Sequence, residues 1–382
     1  MPAVAKTLHS SLSALGARCG KKTHTRKEDP MTSTTLNPTL PMPGHYDPRN
    51  ATRHDYYVAD ATVLQQAAEA WRAQHDLKPA GGDQTRVHLL VIDDQVDFSF
   101  PQGALYVAGR SGTGAMDAQR NLVEFIYAHL HLLSEITCTL DTHLPYQIFF
   151  PSAHLREDGS HPAPHTVITA EEYRRGIYRP NPALARQIGA DPVWLQKQFT
   201  HYCEQLEATG KYQLYLWPYH CLLGSGGHRL AGVVEEARLF HSFARGAANL
   251  PEIKGGNPLS ERYSIFKEEV TTCWDGRPIP GAQKNTRLIK TLLQADVVIL
   301  AGLASSHCVR ESIADLLSDI QAQDAALARK VYILRDCTAP VVIPNGSDFT
   351  DEAERAFAQF QDAGMHLVDS TMPPATWPDI NW

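Results

Sequence analysis

The sequence predicts an α/β fold, a parallel β-sheet sandwiched by helices in a three-layer αβα arrangement. Two features carry that expectation. Residues 87–92 and 297–301 are apolar runs rich in Val, Ile and Leu, as strands buried on both faces must be. Such runs alternate with amphipathic helical stretches over most of the chain, and repeated strand–helix alternation builds a parallel sheet covered on both sides.

Taken in order, residues 1–55 read as a disordered or extended arm. The first 27 are basic, rich in Ser and Thr and free of acidic residues, which fits an organelle-targeting segment, a plain tail, or sequence upstream of a start at Met31. Residues 56–85 form a helical extension, because Val63, Ala67, Ala70 and Trp71 share one face over 59–75. The main domain runs over 86–370. Its first strand ends in Asp93; a helix over 116–132 buries Leu122, Phe125, Ile126 and Leu130; a second strand ends in Asp141-Thr-His143. Residues 156–212 interrupt the alternation and read as an insertion, with a helix over 192–206. The core is expected to resume with a strand at Leu214, then a helix over 233–243 and a strand end at Ile253-Lys254. The strand at 297–301 leads into a helix from about Val309, and 331–336, 351–363 and 364–368 close the domain as strand, helix and strand. Residues 371–382 are a tail.

Composition narrows the partners. The formal charge of −7 comes with no basic block in the main domain, so nucleic-acid binding gains no electrostatic support and a small molecule is the expected partner. Seven scattered cysteines without a CxxC pair suggest a reducing, cytoplasmic setting. No apolar run approaches the roughly 18 residues that cross a bilayer. A homo-oligomer is left open.

Chemistry concentrates at strand ends. Cys308 opens a helix after a tight turn, where the helix dipole and free N–H groups lower a thiol pKa and hold an oxyanion; the alternative is a buried structural cysteine. Asp141 and His143 point to the same side of a strand, as two metal ligands would, or as polar groups at a solvated strand end. His220 is a third ligand or a core histidine, and Lys254 points into a site or out to water.

The order Asp93-Asp-Gln-Val-Asp-Phe98, Asp141-Thr-His143, Trp217-Pro-Tyr-His220-Cys221, Lys254-Gly255 with Tyr263-Ser-Ile-Phe266, and Ala304-Ser-Ser-His307-Cys308-Val309 resembles the isochorismatase-like cysteine hydrolases, and among them the nicotinamidases. The resemblance spans about residues 86–370 and implies a nucleophile at Cys308, a base at Asp93 and Lys254 completing the triad. It implies an oxyanion hole from the backbone of Ala304 and Cys308, with a cis peptide at Leu303–Ala304. It also implies a divalent ion on Asp141, His143 and His220, zinc first with Mn or Fe also suited, and a substrate pocket of Phe98, Trp217, Tyr263 and His307. The activity implied is hydrolysis of the amide nicotinamide to nicotinate and ammonia through a thioester. His154 is expected as an added ligand or a support for one, and Lys267 is a rival to Lys254. Val96 and Ser306 depart from the family pattern, which often has Asn and an acidic residue there. A sister hydrolase acting on another amide or ureide, and a non-catalytic scaffold, are the alternatives.

Overall fold

The computed structural model describes residues 39–343 and 346–380. The targeting segment expected in the first 27 residues lies outside the described residues. After a 3₁₀ turn at Pro48–Thr52, helix α1 (Ala61–Gln74) is capped by Asp60, whose carboxylate accepts from the N–H groups of Thr62 and Val63. Strand β1 (Val87–Ile92) is buried along its whole length and leads through a short turn into α2 (Val96–Ser99). Helix α3 (Gly114–Ala128) returns the chain to β2 (Glu135–Asp141).

Residues after β2 build a cap. Its elements are β3 (His154–Arg156), β4 (Val167–Ile168), α4 (Ala170–Arg174), β5 (Tyr178–Pro180), α5 (Pro182–Ile188), α6 (Pro192–Thr209) and β6 (Leu214–Tyr215). Asp191 caps the start of α6 and Gly210, with φ 68°, ends it. Here the expectation of a core strand at Leu214 is corrected. β6 pairs antiparallel with β4 and has no place in the main sheet. The run Leu214-Tyr-Leu-Trp217 is apolar because it packs in the cap, where Leu216 and Trp217 join Phe149, Leu195, Phe199 and Tyr202.

The main sheet then continues through α7 (Gly232–Arg245), β7 (Glu252–Lys254), α8 (Thr286–Gln294), β8 (Val297–Gly302), α9 (Cys308–Gln323), β9 (Val331–Leu334), α10 (Thr350–Asp362) and β10 (His366–Val368). The six strands lie in the order β10-β9-β8-β1-β2-β7, and every pairing is parallel. Alternate side chains of the same strands feed two cores. Leu89, Val91, Val297 and Ile299 pack toward α1, α3 and α7, whereas Leu90, Ile92, Val298 and Leu300 pack toward α8, α9 and α10. That is the three-layer αβα fold. Helix α8 has no counterpart in the sequence reading, which marked only Gly255 and Tyr263-Ser-Ile-Phe266 in the long path from Gly255 to Asn285; other parts of that path, including Leu259, Val270 and Ile279, complete the core of the cap. The tail is ordered by aromatic packing, with the Trp377 ring stacked 5.9 Å from Phe125 and 5.1 Å from Tyr332.

From β1 the strands proceed outward in one direction as β2 and β7, and in the other as β8, β9 and β10. The reversal leaves a crevice beyond the carboxyl ends of β1 and β8, the place where such sheets bind ligands.

Candidate active site and metal centre

Four strands deliver one reactive group each to that crevice. Asp93 follows β1, Asp141 ends β2, Lys254 ends β7 in direct register with Asp141, and Cys308 follows β8 at the first position of α9. The register pairs Ile92 with Gly302, so the loops that leave β1 and β8 start side by side. Asp93 itself has φ 47°, an uncommon backbone state for a residue with a side chain, and its carboxylate is fully buried.

Lys254 is the hub. Its Nζ lies 2.8 Å from Asp93 Oδ2, 2.9 Å from Asp141 Oδ1 and 3.6 Å from Cys308 Sγ, and it donates to the Arg262 carbonyl at 3.1 Å. Burial alone would strip the ammonium of its proton, but Asp141, Asp93 and Cys308 together hold its pKa well above the usual lysine value. Lys267 is excluded as its rival, because it pairs with Asp315 at 2.8 Å on a partly exposed surface.

The thiol differs from the sequence expectation. Burial pushes the Cys308 pKa well up, Lys254 pulls it down, and Asp93 and Asp141 push it up again, leaving it above the ordinary value despite the helix terminus. Burial likewise raises Asp93, against the pull of Lys254. The cause is common to both: a site closed to water penalises each new charge by more than one helix end or one shared cation repays. Both directions favour a thiol that keeps its proton at rest and a carboxylate able to accept one.

Beside this cluster, Asp141, His143 and His220 hold their ligand atoms within 4.8 Å of one another. The ring atom His143 Nδ1 lies 3.0 Å from the Gly255 carbonyl, and His220 Nδ1 lies 2.7 Å from the Pro218 carbonyl. A carbonyl only accepts, so each Nδ1 carries a proton, and in the neutral ring, the form that binds a metal, each Nε2 presents a lone pair. Those lone pairs face Asp141 Oδ2 at 2.8 Å and 3.7 Å. Two lone pairs against a carboxylate repel unless a cation lies among them, so the donor set fits a divalent ion. Gly255, with φ 83°, makes the approach possible, since a Cβ there would collide with Asp141 and His143. His154 is corrected out of the set: its ring nitrogens are taken by the Tyr173 hydroxyl and the Ile148 carbonyl, within the core of the cap.

A narrow cavity opens over Cys308 and is walled by Phe98, Trp217, Tyr263 and His307, with Asp141 and His220 on its border. Trp217 Nε1 donates to the Tyr263 hydroxyl at 3.0 Å, and the His307 ring meets Trp217 and Tyr263 edge-on at 5.5 Å and 5.4 Å. Burial lowers His307 to about 4, so the ring is neutral near pH 7. Ala304 lines the same cavity and follows a cis peptide from Leu303, and Cys308 opens α9, whose first N–H groups have no acceptor within the helix.

Several residues that matter here escaped the sequence reading. Gln95 is fully buried and clamps the backbone of Asp141: its Oε1 accepts from the Asp141 N–H at 2.7 Å, and its Nε2 donates to the Asp141 carbonyl at 2.8 Å. Thr139 bridges to Asp93, its hydroxyl donating to Oδ1 and accepting from the Asp93 N–H. The signal for Thr139 was present, since it lies two residues before Asp141 on the same face of β2. Asp97 accepts from the Cys221 N–H at 2.7 Å and so fixes the turn after His220. Glu261 also borders the cavity, buried and with one oxygen lacking a hydrogen-bond partner among the described residues.

Fold and cluster together define a three-layer α/β protein with a buried Cys–Lys–Asp group next to an Asp–His–His set. No protein-family model matches the chain, and no curated protein does. Among solved structures it is similar to yeast nicotinamidase Pnc1p bound to the inhibitor nicotinaldehyde, at 18% identity over 74% of this chain and 99% of that one, with a TM-score of 0.46. It is similar to a nicotinamidase/pyrazinamidase from Acinetobacter baumanii, at 20% identity over 76% and 99%, TM-score 0.45. A pyrazinamidase of Pyrococcus horikoshii in complex with zinc follows at 19% identity over 74% and 99%, TM-score 0.39. At such identities and TM-scores these remain likenesses, and the chemistry rests on the residues of this chain.

Proposed function

We propose that this protein is a cysteine amidohydrolase that converts nicotinamide to nicotinate and ammonia. The observation that carries the reading is the single ammonium of Lys254 in contact with Asp93, Asp141 and Cys308 at once. A thiol, a base and a cation buried together beneath an apolar cavity suit covalent attack on a neutral carbonyl.

In the first half-reaction Asp93 takes the Cys308 proton as sulfur bonds to the amide carbon. The N–H groups of Ala304 and Cys308 hold the developing oxyanion, and Lys254 offsets the negative charge that gathers between Asp93 and sulfur. Asp93 then returns the proton to the leaving nitrogen, the C–N bond breaks, and ammonia departs, leaving a thioester on Cys308. In the second half-reaction Asp93 deprotonates water, which attacks the thioester carbon; the C–S bond breaks and the thiol is restored with release of the acid. Asp141, His143 and His220 would hold a divalent ion, zinc being the first choice for this donor set, and it would supply a Lewis acid and a partner for a ring nitrogen. Phe98, Trp217 and Tyr263 suit a flat heteroaromatic ring, at about 0.5–1.5 kcal/mol per stacked pair beyond burial.

Ammonia release from nicotinamide, pyrazinamide and benzamide tests the reading. Nicotinamide and pyrazinamide, which share a ring nitrogen at the same place, are expected to be good substrates, with benzamide much poorer. Equal kcat/KM for benzamide and nicotinamide would remove the role of the ring nitrogen. Cleavage of a linear amide or ureide in place of all three would favour the sister-hydrolase reading.

A further inference from the structure

The cap reaches the cavity at its last residues. The ring of Tyr212, just before β6, lies 5.2 Å from Tyr263 and 6.2 Å from His307, within 19° of parallel to the latter. Tyr263 and His307 both wall the cavity over Cys308. Tyr212 thus stands behind two wall residues without bordering the cavity itself.

What holds Tyr212 there is the helix that begins with the thiol. Its hydroxyl donates to Glu311 Oε1 at 2.9 Å and accepts from Arg310, whose guanidinium lies 5.2 Å over the ring. Lys211 adds an ion pair with Glu311 at 2.9 Å. Arg310 and Glu311 lie in the first turn of α9, and Glu311 is buried. The end of the cap is therefore fixed to the helix that presents Cys308. A second, narrow void bordered by Tyr212, Tyr263 and Glu261 lies behind the same wall. Removing the Tyr212 ring would join its space to that void and let Tyr263 and His307 retreat, since an aromatic ring in a packed wall keeps its place only while its neighbours fill the space behind it.

We infer that Tyr212 is a positioning residue which sets the width of the cavity over Cys308 by holding Tyr263 and His307 inward, and so decides how large an acyl-bearing ring the site admits. This rests on the reading of that cavity as the substrate site. The ring, more than the hydroxyl, does the holding: Glu311 keeps Lys211 and the Arg310 Nε as partners when the hydroxyl is removed.

The test reads cavity width directly. Full-length protein is treated with iodoacetamide and, separately, with N-benzyliodoacetamide, and alkylation of the Cys308 peptide is followed by mass spectrometry. In Tyr212→Ala and Tyr212→Leu the rate ratio of the bulky to the small reagent is expected to rise about tenfold or more, the scale on which apolar pockets discriminate by size. Tyr212→Phe, which keeps the ring, should stay within about twofold of the parent. An unchanged ratio in both ring-removing variants overturns the inference, as does an equal rise in Tyr212→Phe. Turnover of nicotinamide and of a 5-alkyl nicotinamide, measured in parallel, separates the two proposals. A parent that leaves nicotinamide uncleaved while the alkylation ratio still moves refutes the substrate and keeps the role of Tyr212; a parent that cleaves it with no movement in the ratio does the reverse.

Discussion

The carboxyl edge of the sheet and the cap above it are built by different means. At the edge, each reactive group sits at the end of a regular strand, and the register of β1, β2, β7 and β8 brings Asp93, Asp141, Lys254 and Cys308 together. In the cap, pairs of two- and three-residue strands, the helices α4, α5 and α6, and the loop containing Leu259, Val270 and Ile279 share one apolar cluster, and no strand–helix repeat in the sequence ties them to each other. The edge supplies reactivity and the cap supplies shape. Regular structure positions atoms to within the tolerance that bond making needs, because β1, β2 and β8 are held by hydrogen bonds on both sides and β7 by its register with β2; a cap outside the sheet can vary without disturbing them.

If that division is right, the largest effect follows loss of the thiol. Cys308→Ala is expected to reduce ammonia release by at least about a thousandfold while leaving circular dichroism and metal content unchanged. Cys221→Ala, in the turn beside His220, should lose far less; comparable losses in both would mean that packing, and not the nucleophile, is being measured.

Next comes the donor set. Elemental analysis is expected to find one divalent ion per chain, absent after chelation and absent in His143→Ala. Gln95→Ala, which removes the clamp on the Asp141 backbone together with a bond to the His228 carbonyl, should weaken metal affinity by about 10–100-fold, the usual cost of losing a group that orients a ligand. Full metal occupancy at the parent's affinity in Gln95→Ala would show that β2 orients Asp141 unaided.

The edge also carries a stability cost. Burial raises the Asp94 carboxyl to about 7, with the Ser99 hydroxyl pulling the other way. The folded state thus keeps a proton that an unfolded chain, with a carboxyl near 4, has already lost, so the contribution of Asp94 falls as pH rises from about 4 to about 7 and is level beyond. Asp94→Asn is expected to melt a few degrees above the parent at about pH 8 and level with it at about pH 4. Identical differences at both pH values would assign the effect to packing. The smallest effect on turnover belongs to Lys267→Ala: the lysine pairs with Asp315 away from the cluster, and activity should stay within about twofold. A large loss of turnover there would reopen the choice between the two lysines.

Sequence alone determined the layered fold and much of the edge. Strands buried on both faces must be continuously apolar, so Val87–Ile92 and Val297–Gly302 declare themselves, and the polar residue that ends such a run is exposed by contrast. Asp93, Asp141, His143 and Cys308 stood out for that reason, but their roles, and the place of Lys254 at the end of the partly exposed β7, came from the family resemblance. Tertiary structure decided the rest. The pKa of Cys308 follows the depth of its burial and the acids around it, quantities that the helix start does not encode. His154 looked available until Tyr173 and the Ile148 carbonyl took both its nitrogens. Leu214 looked like sheet until β4 claimed it, and Tyr212 gained a role only through contacts with residues 51 and 95 positions further along the chain. Local pattern records what each residue must be buried against in kind, apolar or polar; which partner fills that demand is set by the packing of distant segments, and that is where the shape of the cavity is decided.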